Sequence, residues 1–218
     1  MKRTLKASLA AAVLIGAGSV LVGMNRTTDL EVTSEAGTVE TASVTRLYEI
    51  DPTHTNVIFK IRHGSVSNFY GRFNDTQGTI QFDKNNFEKS SMELTVQISS
   101  IDTNSRTRDG HLKGADFFNV RQYGEATFTS TSMTDDGDGE YTVTGEFTLQ
   151  GKTVTLDAQL IDVREGKFND FDVIGVEARF TIKRSDFGIT KYLNTRNPNR
   201  GPLGDEVEII VAIEAVGK

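Results

Sequence analysis

The sequence of 218 residues contains no cysteine, no tryptophan, only three prolines and only three histidines. The absence of cysteine excludes disulfides, thiolate nucleophiles, thiolate metal sites and a lipoprotein-type acylated cysteine. The chain also lacks a Gly-x-Ser-x-Gly elbow, a His-Glu-x-x-His motif, a phosphate-binding glycine-rich loop and a dinucleotide fingerprint. We therefore predict no catalytic residues, no enzymatic activity and no cofactor.

Positive charge is also scarce, because 24 Lys and Arg residues face 30 Asp and Glu residues and the net charge is −6. Affinity for nucleic acid depends on clustered Lys and Arg side chains that neutralise phosphates. We expect no nucleic-acid partner.

The long apolar run of the chain lies at its N-terminus, where Lys2, Arg3 and Lys6 precede an uncharged stretch from Ala7 to Met24. This arrangement is typical of a secretory signal, and the run is also about long enough to span a bilayer, which takes roughly 20 residues. We predict that residues 1–24 are a cleaved signal peptide, with an uncleaved membrane anchor as the alternative. Residues 25–45 are rich in Thr, Glu, Ser and Gly and are predicted to be a disordered linker.

From residue 46 to residue 217 apolar and polar residues alternate with a period of two, as in Val57, Phe59 and Ile61. One apolar face per strand is typical of antiparallel pairing, and glycine-containing turns are expected at 135–139 and 151–152. The aspartates of the first turn lack the spacing of a calcium loop. Long strands and sequential hairpins favour a barrel over a sandwich. We predict one all-β domain over 46–217, an antiparallel barrel of about eight strands.

Residues 101–118 interrupt this alternation with a charged and polar stretch that ends in two phenylalanines. Ser105 is predicted to cap a short helix from Arg106 to Lys113, and Gly110 and Gly114 limit its length. The barrel should therefore carry a short helical insert near residues 104–118.

The three histidines, His54, His63 and His111, are widely separated. No two of them have the i, i+2 or i, i+4 spacing that places side chains on one face of a strand or helix. We predict no metal site.

Several separated segments resemble the YceI family in order and spacing. They are Tyr48–His54, Val57–Gly64, the Arg108–Leu112 and Asp116–Phe118 pieces of the insert, Gly145–Leu156, Ile182–Gly188 and Leu203–Val207. The resemblance covers about residues 47–216. It implies a lipocalin-like β-barrel of the bacterial envelope that binds a polyisoprenoid or quinone-type lipid, and hence a periplasmic protein, anchored to the membrane if its signal is uncleaved.

Apolar strand faces carry phenylalanines that are predicted to line a cavity for such a lipid: Phe59, Phe82, Phe128, Phe147 and Phe180. The same residues could equally fill a solid core, and the sequence does not separate these alternatives. Arg106, Arg108 and His111 are the predicted head-group contacts, because an Arg guanidinium presents a planar fork of donors to a diphosphate or a carbonyl. A structural role, holding the loop in place, is as good an interpretation for Arg106 and Arg108, and is favoured for Asp109.

The resulting hypothesis is a non-enzymatic protein that binds, and carries or stores, a long-chain isoprenoid lipid or quinone. Two alternatives remain open at this point. One is an enzyme that acts on such a lipid, with His54, His63 or Asp51 as its ionisable group; the other is an envelope stress protein with a solid barrel. The sequence also leaves open the natural ligand, membrane contact during loading and a homodimer.

Overall fold

The computed structural model describes residues 45–218; the predicted signal peptide and nearly all of the predicted linker lie outside the described residues. The described part contains eleven strands and one α-helix. They are β1 (Arg46–Ile50), β2 (Asn56–His63), β3 (Ser67–Phe73), β4 (Thr76–Phe82), β5 (Ser91–Gln97), β6 (Ile101–Asp102), α1 (Arg106–Leu112), β7 (Glu125–Gly137), β8 (Glu140–Leu149), β9 (Lys152–Phe168), β10 (Phe171–Lys183) and β11 (Leu203–Gly217). No helix among these residues is long and apolar enough to cross a membrane.

Eight of the strands form a closed antiparallel ring in the order β1-β4-β5-β7-β8-β9-β10-β11, and β11 pairs with β1 to close it. The ring confirms the predicted barrel of about eight strands. Closure leaves each ring strand with a partner on both sides, which removes the exposed edges of an open sheet.

The barrel has two different ends because β11 changes its partner along its length. Residues 215–217 of β11 pair with β1, whereas residues 203–212 pair with β2. Strand β2 then pairs with β3, and the last residues of β3 pair with the short β6. We call the end that carries β1 the closed end, and the end where β2 finishes and β3 starts the mouth end.

Residues 103–124 cross the mouth end between β6 and β7. On one side the Arg108 guanidinium lies 4.4 Å from the centre of the Phe69 ring on β3. On the other side the side chain of Gln150, in the turn after β8, donates a hydrogen bond to the carbonyl of Phe117. Helix α1 lies in this segment, and the Ser105 hydroxyl accepts a hydrogen bond from the Arg108 amide at 3.4 Å. The predicted helical insert and its cap are confirmed.

Two of the hairpin turns adopt the backbone that the sequence suggested. In the turn between β7 and β8 the φ angles of Asp138 and Gly139 are 55° and 83°, and in the turn between β8 and β9 those of Gln150 and Gly151 are 52° and 68°. Positive φ at both central residues matches the right-handed twist of the flanking strands. The second turn lies one residue earlier than the predicted 151–152.

Candidate functional site

The interior of the barrel contains a cavity of about 570 Å³, so its core is not solid. This volume lies in the range of roughly 300–1,000 Å³ that is usual for small-molecule sites. Its wall is formed by the inward faces of β2, β3, β5 and β7 to β11, by Thr76 at the start of β4, and by side chains from α1 and the segments on either side of the mouth. Most of these side chains are aliphatic or aromatic. The solid-barrel alternative does not fit this interior.

The cavity opens at the mouth end. Six of its lining residues are exposed to solvent, and all six belong to the end of β2, the start of β3, α1 or the segment before β11: His63, Ser67, Arg108, His111, Tyr192 and Pro202. Lining residues nearer the closed end, such as Met92, Val143 and Leu160, are buried. The cavity therefore has an apolar interior and a mouth with polar groups.

Four of the five predicted phenylalanines, Phe59, Phe128, Phe147 and Phe180, lie on the cavity wall. Phe147 and Phe180 meet edge to face, with 5.8 Å between ring centroids. Phe82 is different: it pairs with Arg46 at the closed end and packs edge to face on Phe87, away from the cavity. The alternation of apolar and polar residues placed Phe82 correctly on the inner face of β4. The position of Phe82 along the barrel axis depends on strand register, which alternation does not give. A ligand-binding role for the other four stays a prediction.

Two glycines determine how far the phenylalanine rings reach into the cavity. A Cβ atom on Gly71 would lie 2.3 Å from the Phe59 ring, and one on Gly145 would lie 2.4 Å from the Phe128 ring. Both glycines lie within strands, so the rings occupy the space that a side chain would take on the inner wall. Each ring lies over a glycine, and this leaves the centre of the barrel open.

Several aromatic residues of the wall were missed by the sequence analysis, chiefly Phe69 and Phe73 on β3 and Phe117 and Phe118 after α1. The β3 signal was present as the alternation of Ser67, Phe69, Gly71 and Phe73, but a glycine and a serine on the inner face weaken it. Phe117 and Phe118 follow the helix in an irregular segment, where no periodicity indicates which way a side chain points.

Arg108 lies at the mouth and is held in a fixed position. Its Nε donates to the Thr103 hydroxyl at 2.8 Å, its Nη2 donates to the Thr103 carbonyl at 2.5 Å, and its guanidinium stacks on Phe69. Among the described residues its Nη1 has no hydrogen-bond partner. The Asp109 carboxylate accepts from the Thr103 amide and hydroxyl at 2.9 and 2.5 Å, which bears out its structural role. Arg108 thus both holds the insert in place and presents free donors at the mouth.

The other two predicted head-group residues lie differently. His111 lines the mouth and packs edge to face on Phe117, at 5.1 Å between ring centroids. Arg106 is exposed on α1 and is not part of the cavity wall. His63, which the head-group prediction did not include, lines the mouth at the end of β2. The structure therefore brings Arg108, His111 and His63 to one opening, and their binding roles stay predictions.

The opposite side of the mouth is secured by Arg184, whose side chain is buried. Its guanidinium donates to four backbone carbonyls, at 2.6 Å to Ile189, 2.9 Å to Lys191, 3.2 Å to Leu203 and 2.7 Å to Gly204. Burial lowers the pKa of this guanidinium, but an Arg side chain stays charged in proteins. Arg184 therefore fixes the segment that carries Tyr192 and Pro202.

A separate polar cluster lies on the outer surface, where Asp51, His54 and Glu214 bring potential metal-ligating atoms within 4.8 Å of one another. His54 Nδ1 is 2.8 Å from an Asp51 oxygen and 3.8 Å from a Glu214 oxygen. The pKa of Asp51 is lowered to about 2, first by the Thr53 hydroxyl and then by His54, while Asp51 raises the pKa of His54. Glu214 lies on the outward face of β11, so this cluster does not contact the cavity.

A family model, sequence relatives and solved structures all relate this chain to YceI proteins. A family model described as the YceI-like domain matches residues 48–215. Protein YceI of Escherichia coli O157:H7 is 41% identical over 173 residues, which cover 78% of this chain and 86% of that protein. The crystal structure of a Campylobacter jejuni YCEI protein superposes with a TM-score of 0.60 at 33% identity, covering 73% of this chain and 91% of that one.

A more distant structural relative is a polyisoprenoid binding domain from Saccharophagus degradans. It superposes with a TM-score of 0.58 over 78% of this chain and 98% of that domain, at 16% identity. At this identity the likeness establishes the shared fold alone.

Proposed function

Since the chain belongs to the YceI-like domain family, we propose that it binds a long-chain isoprenoid lipid, of the polyprenyl or quinone type, and carries or stores it in the bacterial envelope. The observation that carries this proposal is the apolar cavity of about 570 Å³ that opens at one end of the barrel. The polyisoprenoid binding ascribed to the Saccharophagus degradans domain supports the class of ligand.

The distribution of polar groups in the cavity fits a ligand with a hydrocarbon tail and one polar end. The tail would lie between the strand faces, where each methylene removed from water contributes about 0.8 kcal/mol. The head group would stay at the mouth, within reach of Arg108, His111 and His63. Because the same tail is already surrounded by hydrocarbon in a membrane, its transfer into the barrel is close to neutral, which suits loading and release.

The positions of the ionisable groups favour binding over catalysis. A general acid or base has to come within hydrogen-bond reach of the reacting group. Asp51 and His54, two of the three candidates for an enzyme, lie outside the barrel, and His63 lies at the exposed mouth. The buried Arg184 on the wall uses its donors on backbone carbonyls. We therefore propose a binding protein, and the signal-like N-terminal sequence supports its placement in the periplasm.

The proposal is tested by native mass spectrometry of the protein exported to a bacterial periplasm, followed by organic extraction and identification of the lipid. A second sample carries Ala158→Phe, which places a ring in the cavity, and a third carries Thr155→Phe on the outer face of the same strand. We expect a stoichiometric prenyl lipid or quinone in the wild type and in Thr155→Phe, and its loss in Ala158→Phe.

A wild-type protein that carries no lipid and takes up neither a polyprenyl lipid nor a quinone on incubation would contradict the proposal. A lipid that remains in Ala158→Phe at the wild-type stoichiometry would contradict the assignment of the cavity. Conversion of the bound quinone or prenyl lipid into a product, lost on substitution of His63, would favour an enzyme instead.

A further inference from the structure

The mouth of the cavity is surrounded by a continuous rim of exposed side chains. The Gly64 amide, next to the turn between β2 and β3, donates to the Pro202 carbonyl at 3.0 Å. Lys191 in the segment before β11 binds Asp116 after α1 at 2.8 Å, and α1 in turn stacks on β3 through Arg108. These contacts join the three segments around the opening, which we call the mouth rim.

The mouth rim is positively charged although the whole chain has a net charge of −6. Six exposed arginines lie at this end, and none of them forms an ion pair with another described residue: Arg62, Arg106, Arg108, Arg121, Arg196 and Arg200. Nearby carboxylates are used internally, because Asp116 binds Lys191, and Asp109 and Asp205 accept hydrogen bonds from Thr103 and Ser185. Glu125, Asp186 and Glu206 are exposed at this end but do not offset the six arginines.

The closed end, in contrast, is negatively charged. Its turn between β7 and β8 carries Asp135, Asp136, Asp138 and Glu140, and its hairpin between β9 and β10 carries Asp170. Asp172 in the same hairpin is paired with Arg46 and Lys167. The barrel is therefore polarised along its axis, and an anionic surface would attract the mouth end and repel the closed end.

The mouth rim also presents apolar groups to solvent. Val66, at the tip of the turn between β2 and β3, is 86% exposed, more than any other large hydrophobic residue of the described chain. Tyr192, on the opposite side of the opening, is 50% exposed. Exposed apolar residues on a rim that also carries exposed arginines form the pattern of an interfacial anchor, in which the apolar groups enter the head-group region and the cations meet lipid phosphates.

We propose that the mouth rim docks on a bilayer that contains anionic phospholipids, and so brings the opening of the cavity to the membrane from which the ligand is taken. The proposal rests on the proposed function for its purpose, because a ligand with a long apolar tail resides in a membrane. Its physical basis, the charge and the exposed valine of the rim, does not depend on which ligand is bound.

The test is co-sedimentation of the ligand-free protein with vesicles of phosphatidylcholine alone or mixed with phosphatidylglycerol. Each basic residue near an anionic surface increases partitioning by about fivefold. We expect binding to the mixed vesicles only, weakened by high salt, and a drop of about 25-fold for the double variant Arg196→Gln/Arg200→Gln. The matched control Lys84→Gln/Lys89→Gln removes two exposed cations from the closed end and should bind as the wild type does.

Equal binding to both kinds of vesicle, or an unchanged partition coefficient in Arg196→Gln/Arg200→Gln, would overturn the proposal. Sedimentation of the wild-type protein in the absence of vesicles would also overturn the proposal if Arg196→Gln/Arg200→Gln abolishes it. The arginines would then bind the acidic end of a second copy of the chain. Native mass spectrometry of the same variants, supplied with lipid in detergent, separates the two proposals. Retained lipid binding without docking contradicts the docking alone, and docking without any lipid binding contradicts the function alone.

Discussion

The two ends of this barrel are stabilised by different interactions. At the closed end, side chains such as Tyr48, Ile80 and Ile174 are at most 2% exposed and pack against one another. At the mouth end the centre is a cavity, and the surrounding segments are held by hydrogen bonds from buried or fixed polar groups, above all Arg184 and the Thr103–Asp109 pair. A barrel with a cavity has fewer apolar contacts in its core. In this barrel, hydrogen bonds around the opening supply part of the stability that those contacts would give.

The largest effect is expected for Arg184→Met, which tests whether the mouth end depends on its buried cation. The substitution leaves four carbonyls without their donor, and breaking such a buried charged network costs about 4 kcal/mol. We expect this loss in the free energy of unfolding measured in urea.

Arg184→Lys serves as the control for Arg184→Met, because it keeps the charge but replaces a planar fork of donors with one ammonium group. Its loss should be intermediate between wild type and Arg184→Met. A loss below about 1 kcal/mol for Arg184→Met would mean that the mouth end is held by its apolar contacts after all.

The next prediction compares the loss of stability caused by the same Ile→Ala truncation at the two ends of the barrel. Ile174 is fully buried at the closed end, whereas Ile209 lines the cavity and is half-buried. Ile174→Ala creates a new void and should cost about 3 kcal/mol, while Ile209→Ala only enlarges an existing space and should cost about 1 kcal/mol. Urea unfolding of both variants measures the difference, and equal losses would show that the cavity wall is packed as tightly as the closed end.

A smaller effect on stability, with a large one on binding, is expected from the glycines on the cavity wall. Gly71→Ala pushes the Phe59 ring toward the cavity, at a cost of about 2 kcal/mol for overpacking. Gly145→Ala pushes the Phe128 ring in the same way but also meets the Thr129 carbonyl oxygen at 2.6 Å, so it should cost somewhat more. Gly166→Ala is the matched control, because its Cβ would meet nothing within 4 Å. We expect less bound lipid by native mass spectrometry in the first two variants and no change in the third; unchanged lipid in all three would contradict this role of the glycines.

The sequence predicted the closed ring better than the mouth. A period of two identifies the inner face of strands such as β2 and β11, and the capping residue Ser105 identifies the start of α1, because both signals are local. A period of two does not determine strand register. Phe82 was therefore predicted correctly on the inner face of β4, but it was assigned to the cavity although it lies at the closed end. The mouth is built from contacts distant in sequence, such as Arg184 with the carbonyl of Leu203, and no local pattern reveals that an arginine will be buried.

The smallest effect on stability is expected at the junction between the two ends. There Asp51 and His54 lie beside Glu214, and the Asp51 amide donates to the Glu214 carbonyl at 2.9 Å. The lowered pKa of Asp51 adds stability above the unfolded value near pH 4, and this is lost as the pH falls toward about 2. The raised pKa of His54 adds stability below about pH 6.5, and this is lost as the pH rises through the folded value.

Both contributions are therefore present only between about pH 4 and pH 6.5. We expect Asp51→Asn to destabilise the protein most within this range and less above it, because His54 is neutral there and the Asp51 carboxylate no longer has a cationic partner. NMR titration of His54 should show a pKa above 6.5 in the wild type and a lower one in Asp51→Asn, where only Glu214 remains to raise it. If the stability difference between wild type and Asp51→Asn did not change with pH, the junction would be held by backbone pairing alone, and the two ends would join without a titratable contact.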